Sequence, residues 1–297
     1  MEKVKRLSPE TEGYTSYGTG TAGVKSIPTG FQTLDDHTSG WQPGEVIAIC
    51  GDSGVGKTTL LTSLVKQIAV ERGIPTLFFA IECGTKQVVD RILANYCSIG
   101  YQWLVRYKVP QEQFEEFNKS LVKLKAAPLF IEETSFTIDD IQDQIIYAVK
   151  HYGIRIVFID YIQLILTNPD AKEIVTPTEL MRLLVQGFKR MAKYYKITIV
   201  FSSQQSIGHA GVEETYLGEF ADNSFDIPDK VAMQDDVDQA FLLMRPDFYG
   251  ITTDMKGNDL RRKAFLKTLK VRSCPPLVIR LNYEPEYARF SEDDPLG

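Results

Sequence analysis

Gly51-Asp52-Ser53-Gly54-Val55-Gly56-Lys57-Thr58 satisfies G-x-x-x-x-G-K-[ST] at every fixed position, and this stretch decides the fold. Glycines at that spacing let the backbone turn tightly enough for successive N–H groups to point at phosphate oxygens. The lysine reaches the outer phosphates and the following hydroxyl can hold Mg²⁺. The flanks agree: residues 46–50 (Val-Ile-Ala-Ile-Cys) read as a buried strand, and residues 58–70 read as a helix whose N-terminal dipole favours an anion. The expectation is a P-loop in which Gly51, Asp52, Ser53, Gly54, Val55, Gly56, Lys57, Thr58 and Thr59 surround the phosphates of ATP, with Thr58 also on the metal.

Outward from the loop, apolar runs recur at 76–81, 129–131, 155–159, 198–201 and 239–244. They are continuous rather than alternating, as expected of parallel strands covered on both faces. Helical patterns lie between them. Residues 137–150 open on Thr137-Ile138-Asp139-Asp140, a capping box with Asp in place of Glu, and place Ile141, Ile145 and Ala148 on one face. Residues 177–195 carry Leu180, Leu184, Phe188 and Met191 as a core stripe, and a short helix fits 32–37. The last third reads as strands and hairpins over 264–271, 277–281 and 287–290. The predicted class is α/β: a mostly parallel sheet with helices on both faces and an antiparallel C-terminal edge, and without internal repeats. Residues 1–24, polar and broken by Gly13, Gly18, Gly20 and Gly23, read as a flexible leader or linker, leaving 25–297 as one ATPase domain.

At 297 residues and 43% hydrophobic content the chain can bury a sizeable core. No apolar run approaches the roughly 20 residues of a membrane span, and the polar start leads into no signal-peptide core. A cytoplasmic location without membrane contact is expected. Cys50, Cys83, Cys97 and Cys274 include no C-x-x-C pair, which fits a reducing compartment and not zinc. His37, His151 and His209 are scattered, as structural or solvated residues are. Net charge is −6, and residues 219–238, with seven acids and one base, account for all of it. A basic surface elsewhere remains compatible with a nucleic-acid partner.

Hydrolysis also needs an acid that organises the metal and a group that activates water. Arg155-Ile156-Val157-Phe158-Ile159-Asp160 is an apolar strand ending in a carboxylate, which places Asp160 beside the P-loop to hold Mg²⁺. Glu82 closes the run at 76–81, at the sheet edge that faces the γ-phosphate; it reads as the base for the attacking water, or as a cap for the next helix.

Ile27-Pro28-Thr29-Gly30-Phe31, Leu34-Asp35, Ser39-Gly40-Trp41-Gln42-Pro43-Gly44-Glu45, the P-loop, Ala80-Ile81-Glu82 and Phe158-Ile159-Asp160-Tyr161-Ile162-Gln163-Leu164-Ile165 together resemble the RecA-type motor domain of DnaB-family replicative helicases. The same pattern runs through phage primase-helicases and the mitochondrial Twinkle helicase. It covers roughly residues 25 to 291, and the Asp-Tyr-Ile-Gln-Leu run is its most specific part. The resemblance implies a RecA-like P-loop core and a ring, a homo-hexamer or related ring in that family's manner, hydrolysing ATP with Mg²⁺ between subunits. It further implies 5′–3′ movement along single-stranded DNA, with primase and other replisome proteins as partners. It makes Gln204, after Phe201-Ser202-Ser203, a γ-phosphate sensor, where the residues alone equally allow a satisfied strand-end amide. It makes Lys270-Val271-Arg272 the Lys-x-Arg that enters a neighbour's site, Arg272 as arginine finger and Lys270 as its partner; spacing alone also fits a solvated face.

Two departures stand out. Asp226-Ile227-Pro228-Asp229-Lys230 lies where relatives carry Asp-Leu-Arg-Glu in a DNA-binding loop. Pro228 offers neither charge nor N–H, which leaves Lys230 as the substitute contact, or the acidic loop as a solvated insert. No helical N-terminal domain precedes residue 25, so ring assembly is expected to be weak in isolation. The acidic segment also supports a rival, a RecA- or KaiC-like ring ATPase acting on protein partners without unwinding DNA. A module that regulates another helicase by joining its ring is a third reading, opposed by the complete set of catalytic candidates.

Overall fold

The structure, a computed structural model, describes residues 26–165, 176–204, 236–271 and 275–293. Nine strands form one sheet: β1 (Val46–Gly51), β2 (Thr76–Ala80), β3 (Leu129–Glu132), β4 (Ile156–Asp160), β5 (Thr198–Gln204), β6 (Gln239–Met244), β7 (Lys263–Val271), β8 (Val278–Glu284) and β9 (Arg289–Glu292). Their order is β3-β2-β4-β5-β1-β6-β7-β8-β9. Every pairing from β3 to β6 is parallel and every pairing from β6 to β9 antiparallel. The continuous apolar runs are therefore the parallel strands, and the predicted class holds. The helices are α1 (Gln32–Thr38), α2 (Lys57–Val65, continued by a π-helical turn Lys66–Glu71), α3 (Thr85–Cys97), α4 (Tyr101–Val105), α5 (Phe114–Ala126), α6 (Ile138–Tyr152) and α7 (Pro177–Tyr195).

Strand periodicity divides the core. On β1, Val46, Ala48 and Cys50 face one hydrophobic cluster, built with Ile141 and Ile145 of α6 and Leu184 and Phe188 of α7. Ile47 and Ile49 face the other, with Leu60, Leu61 and Leu64 of α2 and the fully buried Trp41. Both faces are thus covered, the condition under which a parallel sheet is stable. The box at the start of α6 forms as expected: Thr137 Oγ1 accepts from Asp140 N at 3.2 Å, and Asp140 Oδ2 accepts from Thr137 N at 3.3 Å.

The helix expected after Glu82 is α3, while α4 and α5 have no counterpart in the sequence pattern. All three pack as a satellite, with Leu93, Ala94, Ile99 and Leu104 buried together and Phe117, Leu121 and Leu124 partly covered. α5 buries only Ser120 fully, so its apolar stripe is shallow.

Register sets where chemistry can happen. Gly51 pairs with Gln204 and Ala80 with Asp160, so β1, β2, β4 and β5 end at one edge. Ligands of open α/β sheets bind at that carboxyl edge. β6 is the seam between the two halves of the sheet. Gln239 pairs with Ile47 on one side and with Val271 on the other, so the C-terminal end of β7 lies at the opposite edge.

Candidate functional site

The loop between β1 and α2 wraps a cavity of about 380 Å³, lined by Ser53, Gly54, Gly56, Lys57, Thr58, Thr59, Glu82, Cys83, Gln87, Arg91, Tyr161, Gln204 and Tyr283. Gly56, the N-cap of α2, has φ 113°, and a Cβ there would lie 3.0 Å from the Phe290 ring. Glycine is required at that point for both reasons. The first amides of α2 are consequently free to face an anion.

Lys57 is nearly buried, and its Nζ donates to the carbonyls of Gly51 at 3.0 Å and Asp52 at 2.9 Å. Burial pulls its pKa down, against the opposing pull of Asp160, Glu82 and Asp52. A lysine held by neutral carbonyls at the cavity wall is poised to exchange them for phosphate oxygens. Thr58 Oγ1 donates to Asp160 Oδ2 at 2.6 Å, and Ser202 Oγ donates to Asp160 Oδ1 at 2.5 Å. Asp160 is only 1% exposed. A hydroxyl on the cavity wall with a carboxylate hydrogen-bonded directly behind it suits Mg²⁺, which keeps several waters and takes phosphate oxygens as its other ligands. Among the described residues, no cluster of three or more His, Cys, Asp or Glu side chains could cage a metal by itself.

Glu82 sits two residues past the end of β2, in a bend, and its N–H donates to Asp160 O at 3.1 Å. It lines the same cavity as Lys57 and Thr58. Burial, then repulsion from Asp160, raises its pKa, with Lys57 and Arg91 opposing. The capping alternative is filled by another residue: Gly84 is the N-cap of α3, and Glu133 Oε2 accepts from Thr85 N at 2.5 Å. Gln204 also lines the cavity. Its backbone is pinned by Gln163, whose Oε1 accepts from Gln204 N at 3.2 Å while Nε2 donates to Gln204 O at 2.9 Å and Ser203 Oγ at 2.8 Å.

Lys270 lies on β7 opposite Ala240, far from this cavity in its own chain. Arg272 and Lys230 lie outside the described residues, as do His209, Cys274 and most of the acidic segment. Of that segment's described residues, Asp236 is 3.9 Å from Arg182, and Asp238 accepts from Val46 N and pairs with Lys189. Part of the acidity is thus neutralised inside the fold. His37 and His151 each meet a backbone carbonyl, at 2.6 and 2.8 Å. Burial pushes the Cys83 thiol up to about 11, so it is a packing residue at the cavity wall.

Sequence reasoning missed several residues. Ser202 and Gln163 sit inside motifs that were quoted for their neighbours, and their signal was a polar side chain within an apolar run. Arg245 and Tyr283 carried no signal. Their contact, a guanidinium 3.8 Å over a ring centroid, joins residues from two different strands' ends.

This fold and this site define a P-loop nucleotide-binding domain of the RecA-like α/β kind. The chain belongs to the family described as DnaB-like helicase C-terminal domain, which it matches over residues 26–292. It is 24% identical over 274 residues to the replicative DNA helicase DnaB of Leifsonia xyli subsp. xyli, covering 92% of this chain and 57% of that one. It is 30% identical over 188 residues to DnaB of Mycoplasma genitalium, covering 62% and 40%. The chain thus spans about half the length of such relatives. Among solved structures, the ATPase domain of G40P superposes with a TM-score of 0.82 at 20% identity, over 98% of this chain and all of that one. A DnaB-like replicative helicase described with its interactions with primase gives 0.76 at 20% identity, over 99% and 68%. These two likenesses show the fold.

Proposed function

We propose that this chain is the motor domain of a ring-forming, hexameric replicative DNA helicase, which hydrolyses ATP at subunit interfaces and moves along single-stranded DNA. The observation that carries the reading is the convergence of Lys57, Thr58 and Glu82 on one cavity at the sheet's carboxyl edge, with Asp160 hydrogen-bonded to Thr58 behind them. Residues 1–24 serve as its leader, the cytoplasm is its place of work, and primase-type proteins are its partners. Among the described residues, no helix is long and apolar enough to cross a membrane.

In this reading the amides of residues 54–58 cradle the phosphates, and Lys57 leaves the carbonyls of Gly51 and Asp52 for the outer phosphate oxygens. Thr58 and Asp160 would hold Mg²⁺, with Ser202 fixing the carboxylate. Mg²⁺ bound with the triphosphate supplies charge neutralisation across the transferring group. Glu82 takes the proton of the attacking water. Gln204, its backbone fixed by Gln163, reports the γ-phosphate to the segment that follows β5. Tyr283, backed on one face by Arg245, gives the base an aromatic wall.

The register of β7 supports action in trans. From the pairing Met244–Phe265 near the P-loop edge to Gln239–Val271 the strand runs roughly 15–20 Å across the sheet. Lys270 therefore sits at the edge away from its own nucleotide, and in this reading it serves a neighbour's together with Arg272. DNA contact through Lys230 belongs to the same proposal.

Steady-state ATP hydrolysis with and without single-stranded DNA, across salt and beside Lys57→Ala, tests the reading. Expected are stimulation by DNA that fades as salt rises, and loss of turnover in Lys57→Ala with the fold retained. Turnover indifferent to DNA, at concentrations where the ring is shown to form, favours a ring ATPase that acts on protein partners.

A further inference from the structure

After β6 the chain makes a tight 3₁₀ turn, Pro246–Tyr249, that folds back over the P-loop. Three contacts seat it. Arg245 Nη1 lies 3.5 Å from Val55 O, while its Nη2 pairs with Asp247 at 3.2 Å. Phe248 closes on Gly54, where a Cβ would stand 3.4 Å from the ring. The Tyr249 hydroxyl donates to Asp52 Oδ2.

The third contact bears on a conflict within the loop. A segment that must receive a polyanion carries a carboxylate of its own, two residues from the first backbone amides that face the ligand. Asp52 is close enough to Lys57 for its backbone carbonyl to accept from Nζ at 2.9 Å. An unrestrained carboxylate there would compete with phosphate for the lysine and repel the ligand through a low-dielectric site. Yet Ser53 lines the cavity and Asp52 does not. The side chain is turned towards the β6–β7 connection, where Tyr249 holds it.

We infer that Tyr249 is a positioning residue for nucleotide binding: its hydroxyl keeps the Asp52 carboxylate out of the phosphate cavity. The inference rests on the P-loop reading above. Tyr249 is suited to the task because its ring is anchored. It packs against the hydrophobic cluster on the α6 and α7 side of the sheet, so only the hydroxyl reaches the loop. The gain is in ground-state binding of nucleotide, not in the chemical step, because neither side chain approaches the site of water attack.

The test is a double-mutant cycle in the full chain, measuring ATP affinity directly and KM and kcat in steady state for wild type, Tyr249→Phe, Asp52→Asn and the double variant. Tyr249→Phe is expected to raise Kd and KM for ATP about tenfold while kcat stays within about twofold. Asp52→Asn lowers KM, and adding Tyr249→Phe to it leaves KM where Asp52→Asn put it. An unchanged KM in Tyr249→Phe overturns the inference, and so does a rise that persists in the Asp52→Asn background. Should Tyr249→Phe also lower thermal stability, the cycle still separates the two effects, since lost packing persists in the double variant and a lost charge restraint does not. Lys57→Ala keeps the two readings apart. If it binds ATP as wild type does, the P-loop reading fails. If it loses binding while Tyr249→Phe keeps a wild-type KM, only the role of Tyr249 falls.

Discussion

Thr58 Oγ1 and Asp160 Oδ2, 102 residues apart in the chain, lie 2.6 Å from each other at the mouth of the nucleotide cavity. The hydrogen bond joins the two side chains that would hold a metal in the proposed function, and Ser202 fixes the carboxylate from its other oxygen. Asp160→Asn keeps the shape and removes the charge. ATP turnover is expected to fall by at least about a hundredfold, with residual activity demanding more Mg²⁺. Turnover titrated against MgCl₂ checks this, and an unaltered Mg²⁺ requirement would remove Asp160 from the metal.

Glu82 has its pKa raised by burial and then by Asp160. A general base works only when ionised, so activity is lost as pH falls through the raised value, earlier than for an ordinary glutamate. The acid limb of the kcat/KM profile, which reports the free enzyme, should therefore lie above that of an ordinary glutamate. Glu82→Gln should abolish turnover and retain ATP binding. The sign for stability follows from the same shift: the folded chain holds this proton more tightly than the unfolded one, so ionisation weakens the fold as pH rises. Glu82→Gln accordingly does not lower the melting temperature at neutral pH, which differential scanning calorimetry can establish.

Arg272→Ala is expected to bind nucleotide and lose turnover. Titrated into wild type, it should depress activity by more than its own fraction, because each variant subunit also disables the neighbour whose site it enters. Activity falling in strict proportion to the fraction of variant would place the guanidinium outside any shared site.

Thr137→Ala removes the hydroxyl that accepts from Asp140 N. The loss should be about 1 kcal/mol in chemical denaturation, the usual value for a deleted N-cap. ATP turnover at permissive temperature should be unmoved, since no residue of α6 or its cap lines the cavity. A loss near zero would mean that the first turn of α6 is satisfied by other acceptors.

What the sequence disclosed follows from the range over which each signal acts. The P-loop, the Thr137 cap and the strand ending in Asp160 are local: a few adjacent residues carry the whole physical requirement, so spacing alone finds them. Sheet class was equally legible, because continuous apolar runs are what two covered faces demand. Glu82 was legible as a strand-end acid, yet only the structure decides against a capping role, because Glu133 arrives from another strand to take it. Ser202, Tyr249 and the Arg245–Tyr283 pair were hidden for that same reason, their partners being distant in sequence. α4 escaped because five residues are too few to show a period, whereas α5 carries a stripe at helical spacing, Phe114, Phe117, Leu121 and Leu124, that sequence reasoning missed.

β6 takes a parallel neighbour on one side and an antiparallel one on the other, and so joins the half of the sheet that carries the P-loop to the half that ends at Lys270. The hydrogen-bond ladder that passes beside the P-loop on β1 runs on through β6 into β7, with one irregularity of register at Ala240/Phe241. One sheet thus turns its nucleotide cavity to one edge and the Lys270 end of β7 to the other. In the ring proposed above, that arrangement makes each subunit host at one edge and guest at the other.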